Sequence, residues 1–204
     1  MSATQSVRLL RILLLLLLLA ALLLTGLIVL GAFDPQPYGR LQQTTPEIRL
    51  ILHDGENLSV WQQPLTAPLP PPPFTIRAAV RRTSGESDLL HGVLLAGDDQ
   101  QGLLVAVSPL GELGIWHPVF ALNPVLESAL FPRQPWPHVR RDGQLNEIRI
   151  DAGAAETVVR INGELAWRGA PLASPTRLYL WGRSFGGGAE IVVPWIQLYA
   201  PDAP

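Results

Sequence analysis

The 204-residue chain contains no cysteine. That excludes disulfides, a thiol nucleophile and the acylated cysteine of a lipoprotein, so stability has to come from a packed core. Lysine is absent as well, and all fifteen basic residues are arginine; this bias by itself carries no functional conclusion. Against seventeen acidic residues the formal charge is only −2, which gives no electrostatic footprint for nucleic acid. Familiar catalytic signatures are missing too. There is no H-E-x-x-H zinc motif, no G-x-S-x-G nucleophile elbow and no Gly-rich phosphate loop ending in Gly-Lys-Ser/Thr. Beyond the N-terminal stretch, almost no segment keeps a helical period over a useful length.

What is there begins with an uncharged, leucine-rich run over 12–33, preceded by Arg8 and Arg11. A helix rising about 1.5 Å per residue needs roughly 20 apolar residues to cross a hydrocarbon core of about 30 Å, so the run predicts one transmembrane helix. Arginine on its N-terminal side places residues 1–11 in the cytoplasm as a short tail and the rest of the chain outside. A cleaved signal peptide shares the basic start and apolar core, but the run exceeds the usual ~7–15 residue apolar region and no clean small-x-small site follows. The expectation is an uncleaved signal-anchor: a single-pass protein of the cell membrane. Residues 34–45 read as a juxtamembrane spacer, and 46–200 as one extracytoplasmic domain of ordinary size. Within it, the proline-rich segment 64–73 supplies too few amide hydrogens for a central strand or helix and predicts an extended surface segment.

The remaining sequence falls into short apolar runs separated by Gly, Asp, Asn and Ser, the pattern of an all-β sandwich. "EIRLILHDGENLSVWQQ" predicts a hairpin around Asp54-Gly55. "FTIRAAVRR" alternates faces, and "LLHGVLLAG", "GLLVAVSP" and "GELGIWH" predict three strands in meander order. The proline-rich stretch 118–137 reads as a loop with one short helix near 125–130. Further strands are expected in "HVRRDGQ", "NEIRIDAG", "ETVVRINGELAWRG", "TRLYLWGR" and "AEIVVPWIQLYA", with Asn162-Gly163 as a tight turn.

The order of "HGVLLA" at 91–96, "GELGIW" at 111–116, Gly143 with Asn146, and "VRINGEL" at 159–165 resembles the concanavalin A-like jelly roll, in its laminin-G-like subgroup. The closing "LYLWGRSFGGGAEIVVPWIQLY" is similar to that family's last strand pair, joined by a glycine loop. The resemblance covers roughly 74–199 and implies two antiparallel sheets packed face to face. This architecture hosts lectins, hydrolases, adhesive modules and spacers, so it does not by itself give a function.

Retaining glycoside hydrolases of such a fold place carboxylates at alternate positions of one strand, about 5–5.5 Å apart. Glu86 and Asp88 have the spacing but lie in the turn "SGESD", and Glu147 and Asp151 stand at opposite ends of one strand; no catalytic residue is assigned. His53, His91, His117 and His138 lie far apart and suggest no zinc site. Laminin-G-like and lectin relatives often hold calcium, for which Asp98 and Asp99 in "GDDQQG" are candidate ligands, although adjacent aspartates are also ordinary turn chemistry. Of the six tryptophans, Trp167 and Trp195 read as packed, whereas Trp116, Trp136 and Trp181 suit a loop-lined face where indoles could stack on sugars. The expected function is a non-catalytic, membrane-anchored binding module for a glycan or cell-envelope ligand, held by Trp116, Trp136 and Trp181 with polar help from His117 and Arg183. The alternatives are a structural module making contact with a protein partner and, beyond that, a glycoside hydrolase with dispersed catalytic residues.

Overall fold

The computed structural model describes residues 3–29, 34–53, 59–65, 67–97, 102–119, 125–173 and 175–202. The chain divides into two compact units, 1–36 and 37–204. The first contains helix α1, Ala3–Val29, whose leucines from Leu13 to Leu24 are about half exposed or more. Among the described residues no helix is long and apolar enough to cross a membrane, so the span expected over 12–33 rests on the sequence alone.

The second unit is an all-β antiparallel sandwich of two sheets. Its strands are β1 (Arg40–Thr44), β2 (Ile48–Leu52), β3 (Ser59–Gln62), β4 (Phe74–Gly85), β5 (Leu89–Ala96), β6 (Gly102–Val107) and β7 (Glu112–Val119). There follow β8 (Val125–Pro135), β9 (Asn146–Ala152), β10 (Thr157–Ile161), β11 (Glu164–Gly169), β12 (Arg177–Ser184) and β13 (Ala189–Ala200). One sheet runs β1-β13-β4-β9-β10-β11, with β2 also on β13, and the other runs β3-β12-β5-β6-β7-β8. The meander β5-β6-β7 is as expected from the sequence.

Several local expectations are corrected. The two strands read as a hairpin around Asp54 separate instead: β2 pairs with β13 in the first sheet and β3 with β12 in the second. The glycine loop after Ser184 likewise connects the two sheets rather than closing a hairpin. The helix expected near 125–130 is part of strand β8, paired with β7; Pro132 and Pro135 further along it are tolerated because β8 is an edge strand, where a missing amide hydrogen costs little. "HVRRDGQ" forms turns, with Asp142 and Gly143 at φ 54° and 74°. Arg40–Thr44, within the stretch read as a spacer, forms β1.

Side-chain alternation makes the core. Phe74, Ile76, Ala78 and Val80 of β4, with Ile148 and Ile150 of β9, belong to one buried cluster with Val93, Leu95, Val105 and Ile115 of the second sheet. Each fully buried large aliphatic or aromatic side chain contributes about 1.5–3 kcal/mol. The proline-rich segment is more than a surface strap, since Leu65 and Leu69 enter this core and the Leu69 amide donates to the Thr176 carbonyl at 2.8 Å. The expected Asn162-Gly163 turn joins β10 to β11 with φ of 53° and 89°, both positive as a type I′ turn requires. Asn146, only 2 % exposed, accepts from the Arg140 amide at 2.8 Å and donates to the Arg140 carbonyl at 2.9 Å. Asn162 in turn donates to Asn146 Oδ1 at 2.9 Å and accepts from the Glu147 amide at 2.9 Å. The two asparagines therefore lock the 140–146 turn against the β10–β11 hairpin.

Candidate functional site

Alternation on the second sheet produces two different apolar faces. Leu89, Val93 and Leu95 of β5 point into the sandwich, while Leu90, Leu94 and Ala96 join Leu104, Ala106, Trp116, Tyr179 and Trp181 in a separate cluster on the outer face. Tyr179, Leu94, Leu104 and Trp116 stand in one register row across β12, β5, β6 and β7. Trp116 is 6 % and Trp181 1 % exposed, and the Trp116 ring fills the space a side chain at Gly114 would need. Neither indole lies on a loop-lined face: both are mid-strand and buried.

The other candidates lie elsewhere. Trp136 packs edge-on against Phe131 at 5.6 Å and contributes to the inter-sheet core, away from the outer cluster. His117 is exposed, with its ring Nδ1 2.9 Å from the Gly102 carbonyl oxygen. It lines a cleft of about 150 Å³ together with Gly102, Leu130, Trp167, Pro171 and Leu172. Trp167, read as packed from the sequence, does pack against the inter-sheet core; half-buried on edge strand β11, it also lines the cleft, and its ring lies against Gly169 so closely that a Cβ there would displace it. The sequence signal for this arrangement is the Trp-x-Gly spacing followed by prolines at 171 and 175; a glycine two residues along a strand leaves open surface for a large ring. Arg183 sits on β12 two residues beyond Trp181, its guanidinium 5.4 Å from the Phe185 ring. The structure thus separates the five candidates into a cleft (His117), a buried outer cluster with a charged rim (Trp116, Trp181, Arg183) and the main core (Trp136). Asp98 and Asp99 lie outside the described residues, and among the described residues no group of three His, Asp or Glu could hold a metal.

Two carboxylates do come together. Arg133 Nη2 lies 2.5 Å from Glu112 Oε2 and 2.8 Å from Asp88 Oδ1, so the two acids are no more than about 5 Å apart, close to the separation of a retaining pair. The guanidinium occupies the space between them and engages both. Glu86, the neighbouring acid, caps the turn by accepting from the Ser87 and Asp88 amides at 2.6 and 3.0 Å. No carboxylate lines the His117 cleft among its described residues.

No family model matches the chain, and no curated protein sequence matches it. Solved structures do. An endo-acting O-glycanase from the human gut microbiota aligns with 76 % of this chain and 80 % of its own, at 10 % identity and a TM-score of 0.55. The likeness is one of fold. The Crh5 transglycosylase, solved with NAG, gives a TM-score of 0.57 at 8 % identity over 83 % of this chain and 89 % of that one. The carbohydrate recognition domain of Emp46p, in a potassium-bound form, gives 0.52 at 10 % identity over 82 % and 89 %. The sandwich is therefore built like those of carbohydrate-active and carbohydrate-recognising proteins, consistent with the concanavalin A-like resemblance.

Proposed function

We propose that this chain is a membrane-anchored module that binds a glycan without cleaving it, and that the cleft between His117 and Trp167 holds one sugar ring. The observation that carries the reading is the pairing, in one concave site, of a half-buried indole with an exposed imidazole whose orientation is set by the Gly102 carbonyl. Sugars present an apolar face to an aromatic ring and hydroxyls to a donor and acceptor beside it. The cleft is smaller than the ~300–1,000 Å³ of drug-sized pockets, which suits a single ring at a chain end. Shared fold with carbohydrate-handling proteins adds weight. Hydrolysis would need a free acid and a second carboxylate, and the close pair Asp88 and Glu112 is committed to Arg133, which supports binding over catalysis. The uncharged run 12–33 behind Arg8 and Arg11 supports a single-pass anchor with residues 1–11 in the cytoplasm and the sandwich outside.

The test uses the full-length chain in detergent, scanned thermally against neutral glycans with calcium or a chelator. A ligand of the native state stabilises it by mass action, about 2.7 kcal/mol at one hundred times its dissociation constant. A rise in midpoint that disappears in Trp167→Ala, and weakens in Gly169→Ala where the ring must move, is the expected result. Loss of the rise on chelation would add calcium, with Asp98 and Asp99 as its first candidates. No shift with any glycan would transfer the reading to a protein-contact module.

A further inference from the structure

Two polar atoms on the outer face of the second sheet are buried without a hydrogen-bond partner: Trp181 Nε1 and Arg183 Nε. They belong to residues two apart on β12, which project to the same face about 7 Å apart. Both are donors, and neither side chain can accept a hydrogen bond. Trp181 is 1 % exposed, so bulk water does not serve it. Among the described residues no carboxylate lies within salt-bridge reach of Arg183. Its neighbour Arg133 is the opposite case, bonded to both Asp88 and Glu112. The Phe185 ring lies 5.1 Å from the Arg133 guanidinium and 5.4 Å from that of Arg183, a cation–π contact that steadies Arg183 without using an N–H donor.

We propose that the Trp181–Arg183 end of this face is a binding site, separate from the His117 cleft, for an anionic oxygen group such as the carboxylate or sulfate ester of an acidic sugar. The chemistry follows from the donor set. A carboxylate or sulfate is acceptor-only and charge-assists the bond to a guanidinium, while its second oxygen can take the indole N–H. A neutral sugar hydroxyl can also accept, but it carries no charge to strengthen the bond to a guanidinium and brings a donor of its own. On β5 the register partners of Trp181 and Arg183 are Gly92 and Leu90, which carry no acceptor side chain.

The experiment observes the tryptophan indole N–H resonances of the full-length chain in detergent, with calorimetry, during titration with glucuronic acid, glucose 6-sulfate and glucose. Saturable movement of the Trp181 resonance with either anion, weakened by salt and absent with glucose, is the expected result. A response to glucuronic acid alone assigns a carboxylate, and to the sulfate alone a sulfate ester. Arg183→Gln should weaken anion binding at least tenfold, Arg183→Lys less, and Trp181→Phe a few-fold, while Trp167→Ala leaves it unchanged whether or not the cleft binds neutral glycans. Equal response to glucose, no response to any of the three, or full anion affinity in folded Arg183→Gln would overturn the proposal. Should Arg183→Gln lose its dispersed spectrum, Arg183→Lys and Phe185→Leu decide: unchanged affinity in both overturns it.

Discussion

The outer faces of the two sheets set their arginines in different surroundings. On the first sheet Arg77, Arg149 and Arg160 stand in one register row across β4, β9 and β10, an arrangement that like charges should disfavour. Acidic partners are interleaved. Arg77 donates twice to Glu147, at 2.8 and 2.9 Å, and lies 5.7 Å from the Trp195 ring; that hydrogen bonding raises the Arg77 pKa above its usual value. Asp151 accepts from Thr75 Oγ1 at 2.7 Å and from Arg149 Nε at 2.9 Å, with Arg160 Nε 3.9 Å from its other oxygen. Thr75 Oγ1 in turn accepts from the Tyr38 amide at 3.0 Å. The second sheet has an apolar outer cluster whose nearby polar atoms, Trp181 Nε1 and Arg183 Nε, are left unpaired. The first network ties its arginines to carboxylates, although Arg160 Nε, within ion-pair reach of Asp151, makes no hydrogen bond. Unspent donors in a low-dielectric setting are where a ligand gains most.

The comparison breaks most visibly at Asp151. Its side chain is 8 % exposed, with Arg149 at 11 % and Arg160 at 14 %, so Asp151→Ala leaves two buried guanidiniums short of their shared partner. Breaking such a group from one side costs about 3–5 kcal/mol, to be read as a lowered urea midpoint. Removing the exposed partner Glu47 of Arg49, on a pair whose side chains are 47 % and 63 % exposed, should change stability by less than about 1 kcal/mol. A large loss from both would mean that the Asp151 network is no different from a surface pair.

The inner face of the second sheet supplies the next effect. His91 is 2 % exposed and neither ring nitrogen has a partner; burial, with a smaller contribution from Arg82, pulls its pKa down to about 3. The unfolded chain, with an ordinary histidine near 6.5, then binds more protons than the folded one between pH 6.5 and 3. Stability therefore falls with pH through that window, by about 2 kcal/mol between pH 7 and 5. His91→Leu should flatten the pH dependence above pH 5, where carboxylates contribute little. Equal slopes for the two proteins would show that His91 finds a partner in solution.

How much of this was legible in the sequence depends on whether a feature is local. Alternation in "FTIRAAVRR" and the Asn-Gly turn are properties of a few adjacent residues, and both appear where the sequence puts them. The pairings of β2 and β3 do not, because a strand's partner is chosen by long-range packing and Asp54-Gly55 carries a turn signal whether or not the flanking strands pair. The helix expected near 125–130 fails for a related reason: the edge position that makes the prolines further along β8 acceptable is set by β7. The tryptophans show the limit most clearly. A place beside His117 at an expected strand end, between two prolines and before Gly182 points to exposure for Trp116, Trp136 and Trp181 respectively, yet register places Trp116 over Gly114 and buries Trp181 beside Gly92. Trp167, read as packed, does pack against the core and also lines the cleft, because β11 is an edge strand.

The smallest expected effect is the sharpest test of the contrast between the faces. Trp181→Phe retains most of the ring that packs with Tyr179 and Leu94 and removes only the indole N–H that has no partner. Losing part of a buried aromatic costs up to about 1–2 kcal/mol in packing, while deleting an unsatisfied buried donor returns about 1–3 kcal/mol of desolvation penalty. The two terms oppose, so the unliganded variant should unfold within about 1 kcal/mol of the parent, on either side of it. On the first sheet the contrasting case is Asp151, engaged by Thr75, Arg149 and Arg160, whose truncation is expected to cost several times more. If Trp181→Phe instead destabilises by about 3 kcal/mol or more, the indole nitrogen is already bonded within the folded chain and offers no free donor.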